Sequence, residues 1–446
     1  MKVSISYSEI WRISWPIMLS SMANTVINFT DVAFVSRIGE KELAASALGG
    51  IFYFLLVMIS VAIGIGTQIL IARRAGEDRH AEIGTVFDNG FLMLMVFAVL
   101  MSGLLYLFVP GLIPLIVDDP EVAVAVVDYL YARGWGLIFM TGLVALRSLY
   151  TGITMTRIIT YTTVVMMVLN VILNYAFVIG GMGVEPMGIF GSGLASAISE
   201  TVAALYAVVY TLSRSILKEF QLFKFRTISR KEMAQIFSLS APIVLQHVLS
   251  MGSWFLFFVF IEKLGSRDLA VSNVVRSIYM VLMTPIWGFA QTSNSMVSNI
   301  IGQDKMQEVL ALVKKITIMS LAIGLMGIVA GIAGRELLFS LSSADTQLME
   351  EAVSSFYMVC LATFFFSVSM VFLSAVSGTG STTAAMLIEV VCLVVYVLYA
   401  YIFTLVWQQP LEIVWIAEVI YWVMMGVISY AYLKSGKWKV NAVRYN

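Results

Sequence analysis

The chain has 446 residues, 60% of them apolar and only 12% charged, with 27 Lys and Arg balanced by 27 Asp and Glu. Soluble domains carry roughly twice that share of charge, so this much apolar surface calls for lipid, and zero net charge excludes an electrostatic pull toward nucleic acid. Long apolar runs without strand-like alternation read as helices, which satisfy their own backbone groups in a bilayer, so the fold class is an all-α polytopic membrane protein.

A spanning helix needs about 20 apolar residues. In chain order the sequence predicts twelve, over residues 11–35, 45–72, 85–109, 122–151, 158–180, 191–213, 236–262, 270–300, 307–333, 347–377, 382–407 and 412–433. Polar or Gly/Pro breaks separate them, as at 73–82, Asp118-Asp119-Pro120 and 185–188. The first apolar run, from Ile10, exceeds a cleavable signal, so it is expected to stay as the first span. Cys360 and Cys392 lie inside apolar runs and read as small core residues.

Basic residues sort by side. With the N-terminus inside, the inner segments hold 19 of the 27 Lys and Arg, including Arg73, Arg74, Arg79, Arg157, six between Arg214 and Lys231 (Arg226 among them), Lys314, Lys315 and four from Lys434 to Arg444. The outer loops hold only Arg37, Lys41, Lys263, Arg267 and Arg335. Both termini are therefore expected in the cytoplasm.

The sequence repeats itself at an offset of 226 residues. Pro16 falls on Pro242, Gly39 on Gly265, Leu43-Ala44 on Leu269-Ala270, Gly76 on Gly302, Asp78 on Asp304, Glu82 on Glu308 and Gly152 on Gly378. Each repeat holds six helices, an even number, so both run the same way through the membrane. The expected organisation is two pseudo-symmetric six-helix lobes, 1–213 and 236–446, joined by a cytoplasmic linker at 214–235 and flanking a central cleft. The second lobe ends in a short cytoplasmic tail.

These motifs resemble those of the multidrug and toxic compound extrusion (MATE) family. Pro16 with Asp31, Gly39 and Leu43-Ala44 looks like its first-helix signature; Gly152, Thr156-Arg157, Asn170, Asn174 and the run at 188–196 are similar to its fourth-to-sixth-helix pattern. Gly378-Thr379-Gly380-Ser381-Thr382 resembles the matching turn of the second half. The resemblance implies twelve helices in two lobes and antiport of organic cations against sodium ions or protons, with no further cofactor. Many members of its NorM branch carry an acid where this chain has Ser250, and the tenth helix offers only Glu350 and Glu351 near its outer end. That departure moves the expected coupling site to the first lobe.

A carboxylate inside a span is costly and asks for a reason. Asp31 shares one helix face with Asn24 and Asn28; Asn170 with Asn174 and Ser196 with Glu200 are i, i+4 pairs. Counted from the helix ends, Asp31, Asn174 and Ser196 all lie in the outer half of the first lobe. One pocket of carboxylate, amide and hydroxyl oxygens would suit a small cation, and Asp31, Asn170, Asn174 and Ser196 are its candidate ligands if that ion is sodium. Asn28 and Glu200 are in support; Glu200 can instead pair with Arg133 or Arg147 as a structural bridge, and Asn and Ser can simply bond neighbouring helices.

The second lobe has Gln246, His247, Gln291 and Glu389 at inner depth, where a histidine and a carboxylate can share a proton or merely pack. Trp254, Tyr279 and Trp287 are the candidate aromatic contacts for a cationic drug. Arg276 can snorkel or pair with Glu418. A lipid-linked saccharide flippase of related architecture would need several basic groups, and the central spans offer Arg133, Arg147 and Arg276. An intramembrane enzyme or a channel are the readings of a different class; the chain has only His80 and His247 and no metal-binding His pair. The expectation is a monomeric, multi-pass exporter of the prokaryotic inner membrane, not an enzyme, whose partners are lipid and small organic cations.

Overall fold

The computed structural model describes residues 2–225, 228–342 and 345–444. Arg226, counted above in the linker, lies outside them. The described residues form fifteen α-helices and four short turns of other helical types. The long ones are α1 (Tyr7–Val35), α2 (Glu40–Gly76), α3 (His80–Ile116), the pair α4 (Pro120–Gly134) and α5 (Gly136–Gly152), α6 (Arg157–Ile179) and α7 (Gly188–Ser213). The second half repeats them as α8 (Arg230–Leu264), α9 (Ser266–Gly302), α10 (Val309–Ala333), the short α11 (Arg335–Ser342), α12 (Thr346–Gly378), α13 (Thr382–Tyr401) and α14 (Leu411–Ser435), followed by α15 (Trp438–Arg444).

Among the described residues ten helices are long and apolar enough to cross a bilayer, or eleven when α4 and α5 count as one span. With the 29-residue α1, about 43 Å long at 1.5 Å per residue, the spans come to twelve. The fourth departs from expectation: the single helix expected over 122–151 is two pieces bent by 49°. Ser102 Oγ donates to the Gly134 carbonyl at 2.7 Å, drawing that oxygen toward α3. Gly136, lacking a Cβ, lets Ala197 of α7 come closer than any side chain would permit.

The chain divides into two compact units, one of Met22–Ala241 and one joining residues up to Ser21 with those from Pro242 onward. The division differs from the one expected at the linker, because it falls inside α1 and α8. The start of α1 is built into the second unit: Val3 N donates to Asn299 Oδ1 at 3.2 Å, Lys315 Nζ to the Ile5 carbonyl at 2.8 Å and Ser14 Oγ to Thr292 Oγ1 at 3.0 Å. The linker and the start of α8 are built into the first. Asp88 accepts from the Phe223 and Phe225 amides at 2.7 and 2.8 Å, and Asn89 Oδ1 from Ser229 N at 2.9 Å.

Within the first unit α2 packs on α4 and α5, and α7 on α4, α5 and α6; within the second α12 packs on α9, α10 and α14. The repeat persists at atomic detail. Asp78 and Asp304, 226 residues apart, both take left-handed φ values of 58° and 60°, a conformation that Asp tolerates better than most residues. Asp119 and Asp345 cap α4 and α12 identically, each accepting from the amides two and three residues on. Lys41 pairs with Glu121 beside Asp119, and Arg267, at the same repeat position, reaches Asp345 and Glu351 at 2.8 Å. The Arg267 guanidinium, helped by the cap amides, holds the Asp345 carboxyl below its usual range. Its contribution is therefore complete above the ordinary carboxylate pKa of 3.8 and fades only as pH falls through the depressed value.

The seating of the linker yields a test. A Cβ on Gly84 of α3 would lie 1.8 Å from the Phe220 carbonyl oxygen, whereas Gly103 on the same helix has nothing within 4 Å. Gly84→Ala is expected to destabilise the protein by about 1–3 kcal/mol, the cost of overpacking, and Gly103→Ala to leave it unchanged. Thermal melts in detergent of the two variants compare them directly.

Candidate functional site

Three helices of the first unit bring Asp31, Asn170, Asn174 and Ser196 together. Asp31 sits in the last turns of α1. Asn170 and Asn174 lie one turn apart on α6, and Ser196 faces them from α7. Asn174 Nδ2 donates to Asp31 Oδ1 at 2.7 Å and to the Asn170 carbonyl at 3.0 Å. Ser196 Oγ donates to Asp31 Oδ2 at 3.3 Å and accepts from Asn170 Nδ2 at 3.2 Å. Both side-chain amides thus reach the carboxylate, Asn174 directly and Asn170 through the serine.

The two amide oxygens are left over. Asn170 Oδ1 and Asn174 Oδ1 are buried and have no hydrogen-bond partner. An unsatisfied buried carbonyl costs about 1–3 kcal/mol, and here two stand beside a carboxylate that itself only accepts. The donors of the set are spent on the carboxylate, the serine and the Asn170 backbone, and none reaches these two oxygens. Among the described residues no three His, Cys, Asp or Glu side chains gather to hold a metal, so the donor set is one carboxylate with neutral oxygens. Oxygens of these kinds are the ligands that hard cations take.

Asn28 is exposed on α1 and takes no part in this network. Its shared face with Asp31 is real, but a shared face does not decide which neighbour it meets. Glu200 is one turn beyond Ser196 and is a structural bridge of the kind allowed above. Arg133 Nη2 binds Glu200 Oε1 at 2.5 Å, Tyr53 donates its hydroxyl to Oε2 at 2.7 Å, and the guanidinium lies 3.9 Å from the centre of the Tyr53 ring. The charge of Arg133 also reaches Asp31, so it tunes the pocket without entering it.

In the second unit Gln246 Nε2 donates to Glu389 Oε2, Tyr421 donates to Oε1 at 3.1 Å, and Ser250 reaches the same carboxylate. His247 is half-buried and is not among these partners; Gln246, one residue earlier and some 100° around the helix, points at the acid instead. Gln291 is half-buried on α9 and outside these bonds. Tyr279 is only 1% exposed, so it is a core side chain here and not a surface for drug, and half-buried Trp254 joins it around Glu418. Trp287 is 38% exposed, its ring edge-on to Phe366 at 5.8 Å.

Sequence reasoning missed Glu418. It was considered only as a partner of Arg276, but Arg276 lies over the Phe258 ring at 5.3 Å, and Glu418 is enclosed by Tyr279, Tyr396, Trp422 and Trp254. The signal was present in the repeat, since Tyr279 stands 226 residues after Tyr53.

Known proteins share this architecture. The probable multidrug resistance protein NorM of Aromatoleum aromaticum is 24% identical over 387 residues, 85% of this chain and 82% of that one. Its counterpart in Photorhabdus laumondii is 24% identical over 433 residues, covering 94% and 90%. Among solved structures, a multidrug resistance MATE family transporter in an outward-facing conformation superposes with a TM-score of 0.89 at 18% identity, covering 96% of this chain and 95% of that one. A MOP superfamily transporter from Pyrococcus furiosus, described as having a binding pocket of reverse polarity, gives 0.89 at 19% with the same coverage. Both likenesses are of fold. The family model described as MatE matches residues 16–176 and 242–402, two stretches separated by the 226-residue period of the repeat, and the chain belongs to the MatE family of membrane transporters.

Proposed function

We propose that this chain is a secondary active exporter of organic, chiefly cationic compounds, driven by an inward sodium gradient that is read at Asp31. The carrying observation is the pair of unpartnered amide oxygens beside that carboxylate. A sodium ion held by Asp31, Asn170, Asn174 and Ser196 gives both oxygens a partner; a proton on Asp31 would serve only one of them. Sodium also cancels the negative charge that attracts a cationic compound. Exchange then follows by mutual exclusion, provided the cation binds the two alternating-access arrangements unequally.

The names of the NorM relatives support drug export, and the inner membrane of a prokaryote, with both termini cytoplasmic, fits the sorting of basic residues. The flippase reading loses ground, because of its three candidate basic groups Arg133 is bonded to Glu200 and Arg276 is stacked on Phe258. The test is uptake of a cationic dye into proteoliposomes under separately imposed sodium and pH gradients. Accumulation under the sodium gradient alone is the expected result. Accumulation under the pH gradient alone would reassign the coupling ion, and none under either would reject the exporter.

A further inference from the structure

The repeat allows one unit to be compared with the other. Tyr53 on α2 and Tyr279 on α9 occupy matching positions, and each donates its hydroxyl to a buried glutamate on the last long helix of its half: Glu200 on α7 and Glu418 on α14. In the first unit Arg133 completes the group with a fixed positive charge. The position matching Arg133 in the second unit is Val359, fully buried, and among the described residues no Lys or Arg forms an ion pair with Glu418 or Glu389.

What surrounds Glu418 is neutral. Tyr396 donates to Oε1 at 2.9 Å, Tyr279 and Trp422 Nε1 to Oε2 at 3.0 and 3.1 Å, and Trp254 reaches the same carboxyl. Glu389 is held in the same manner by Gln246, Ser250 and Tyr421. The Tyr396 and Tyr421 rings lie 5.5 Å apart and join the two acids into one cluster. Apart from tyrosines and the charged residues within their first and last two turns, the helices packed around it carry His247 on α8, Arg276 on α9, Cys360 on α12 and Cys392 on α13, and Cys392 senses Glu389.

A charge without a counter-charge is costly inside a membrane span, and two like charges in one cluster repel as well. A proton removes the charge, but the neutral acid must then donate a hydrogen bond as well as accept. Tyrosine hydroxyls permit this, because each can turn from donor to acceptor without moving its oxygen. The Tyr279 oxygen already accepts from Trp422 Nε1 at 2.7 Å and has a second lone pair for Glu418. At the Glu200 site the fixed charge of Arg133 instead favours the ionised form, although Tyr53 is bonded there as well.

We propose that Glu418 and Glu389 form a proton-binding pair in the second unit, which takes a proton from water onto a carboxylate oxygen and holds at least one in the arrangement seen here. This is separate from the cation read at Asp31 and does not depend on it. The test is infrared spectroscopy of the purified, detergent-solubilised protein at neutral pH, in light and heavy water. A carboxylic-acid carbonyl band that shifts on deuteration and is diminished in Glu418→Gln or Glu389→Gln is expected. Absence of such a band, or a band that neither variant alters, overturns the pair. Should the glutamine variants fail to fold, Tyr279→Phe removes one hydroxyl while keeping both acids, and an unshifted band in that variant overturns the proposal equally. The Asp31→Asn variant should leave this band in place, so failure of the coupling role of Asp31 and failure of this pair remain distinguishable.

Discussion

Asp31→Asn is expected to abolish gradient-driven efflux while leaving expression and membrane insertion intact. The substitution keeps the size of the side chain and one oxygen that can accept from Asn174 or Ser196. It removes the only formal charge among the four side chains of the pocket, and with it the differential binding of cation that transport needs. Folding should not suffer, because a neutral amide is cheaper to bury than a carboxylate. Dye efflux from inverted vesicles, normalised to protein amount, measures the effect. Export at the wild-type rate would sink the mechanism and move attention to Glu389 with His247 or Glu418.

Arg133→Met should produce the largest loss of stability of any single change considered. It leaves Glu200 buried with its counter-charge gone, and breaking a buried ion pair from one side costs about 3–5 kcal/mol. Glu200→Gln strands the arginine and should cost a similar amount. The double variant, with neither charge, should recover most of the loss, since paired removal is often neutral. A double-mutant cycle of thermal melts reads this directly; no recovery in the double variant would show that the bridge is not the source.

The first-unit pocket was legible because helical spacing and depth are properties of one strand of sequence. Asn170 and Asn174 must share a face, and counting from polar breaks put them level with Asp31. Helix limits were legible for the same reason, the breaks being polar or rich in Gly and Pro. The bend between α4 and α5 was not, because it depends on Ser102, 32 residues earlier, meeting the Gly134 carbonyl. Nor was the role of Gln246 over His247, which turns on a rotation of one residue about α8. The enclosure of Glu418 needs four helices to converge, and no local pattern announces that. The same holds for the start of α1, whose partners Thr292 and Asn299 lie in the other half of the sequence.

The shared helices also bear on how such a chain can have arisen. The segment that was duplicated and the segment that folds are not the same piece: each repeat begins with residues that complete the opposite unit. A gene encoding one repeat alone would make a product lacking part of its own core and carrying a surplus arm. Two such products become complete only by trading arms, as in a swapped homodimer. Joining such copies end to end would turn that exchange between molecules into one within a molecule. The two halves expressed as separate polypeptides should accordingly rescue each other in one cell, and neither should fold by itself.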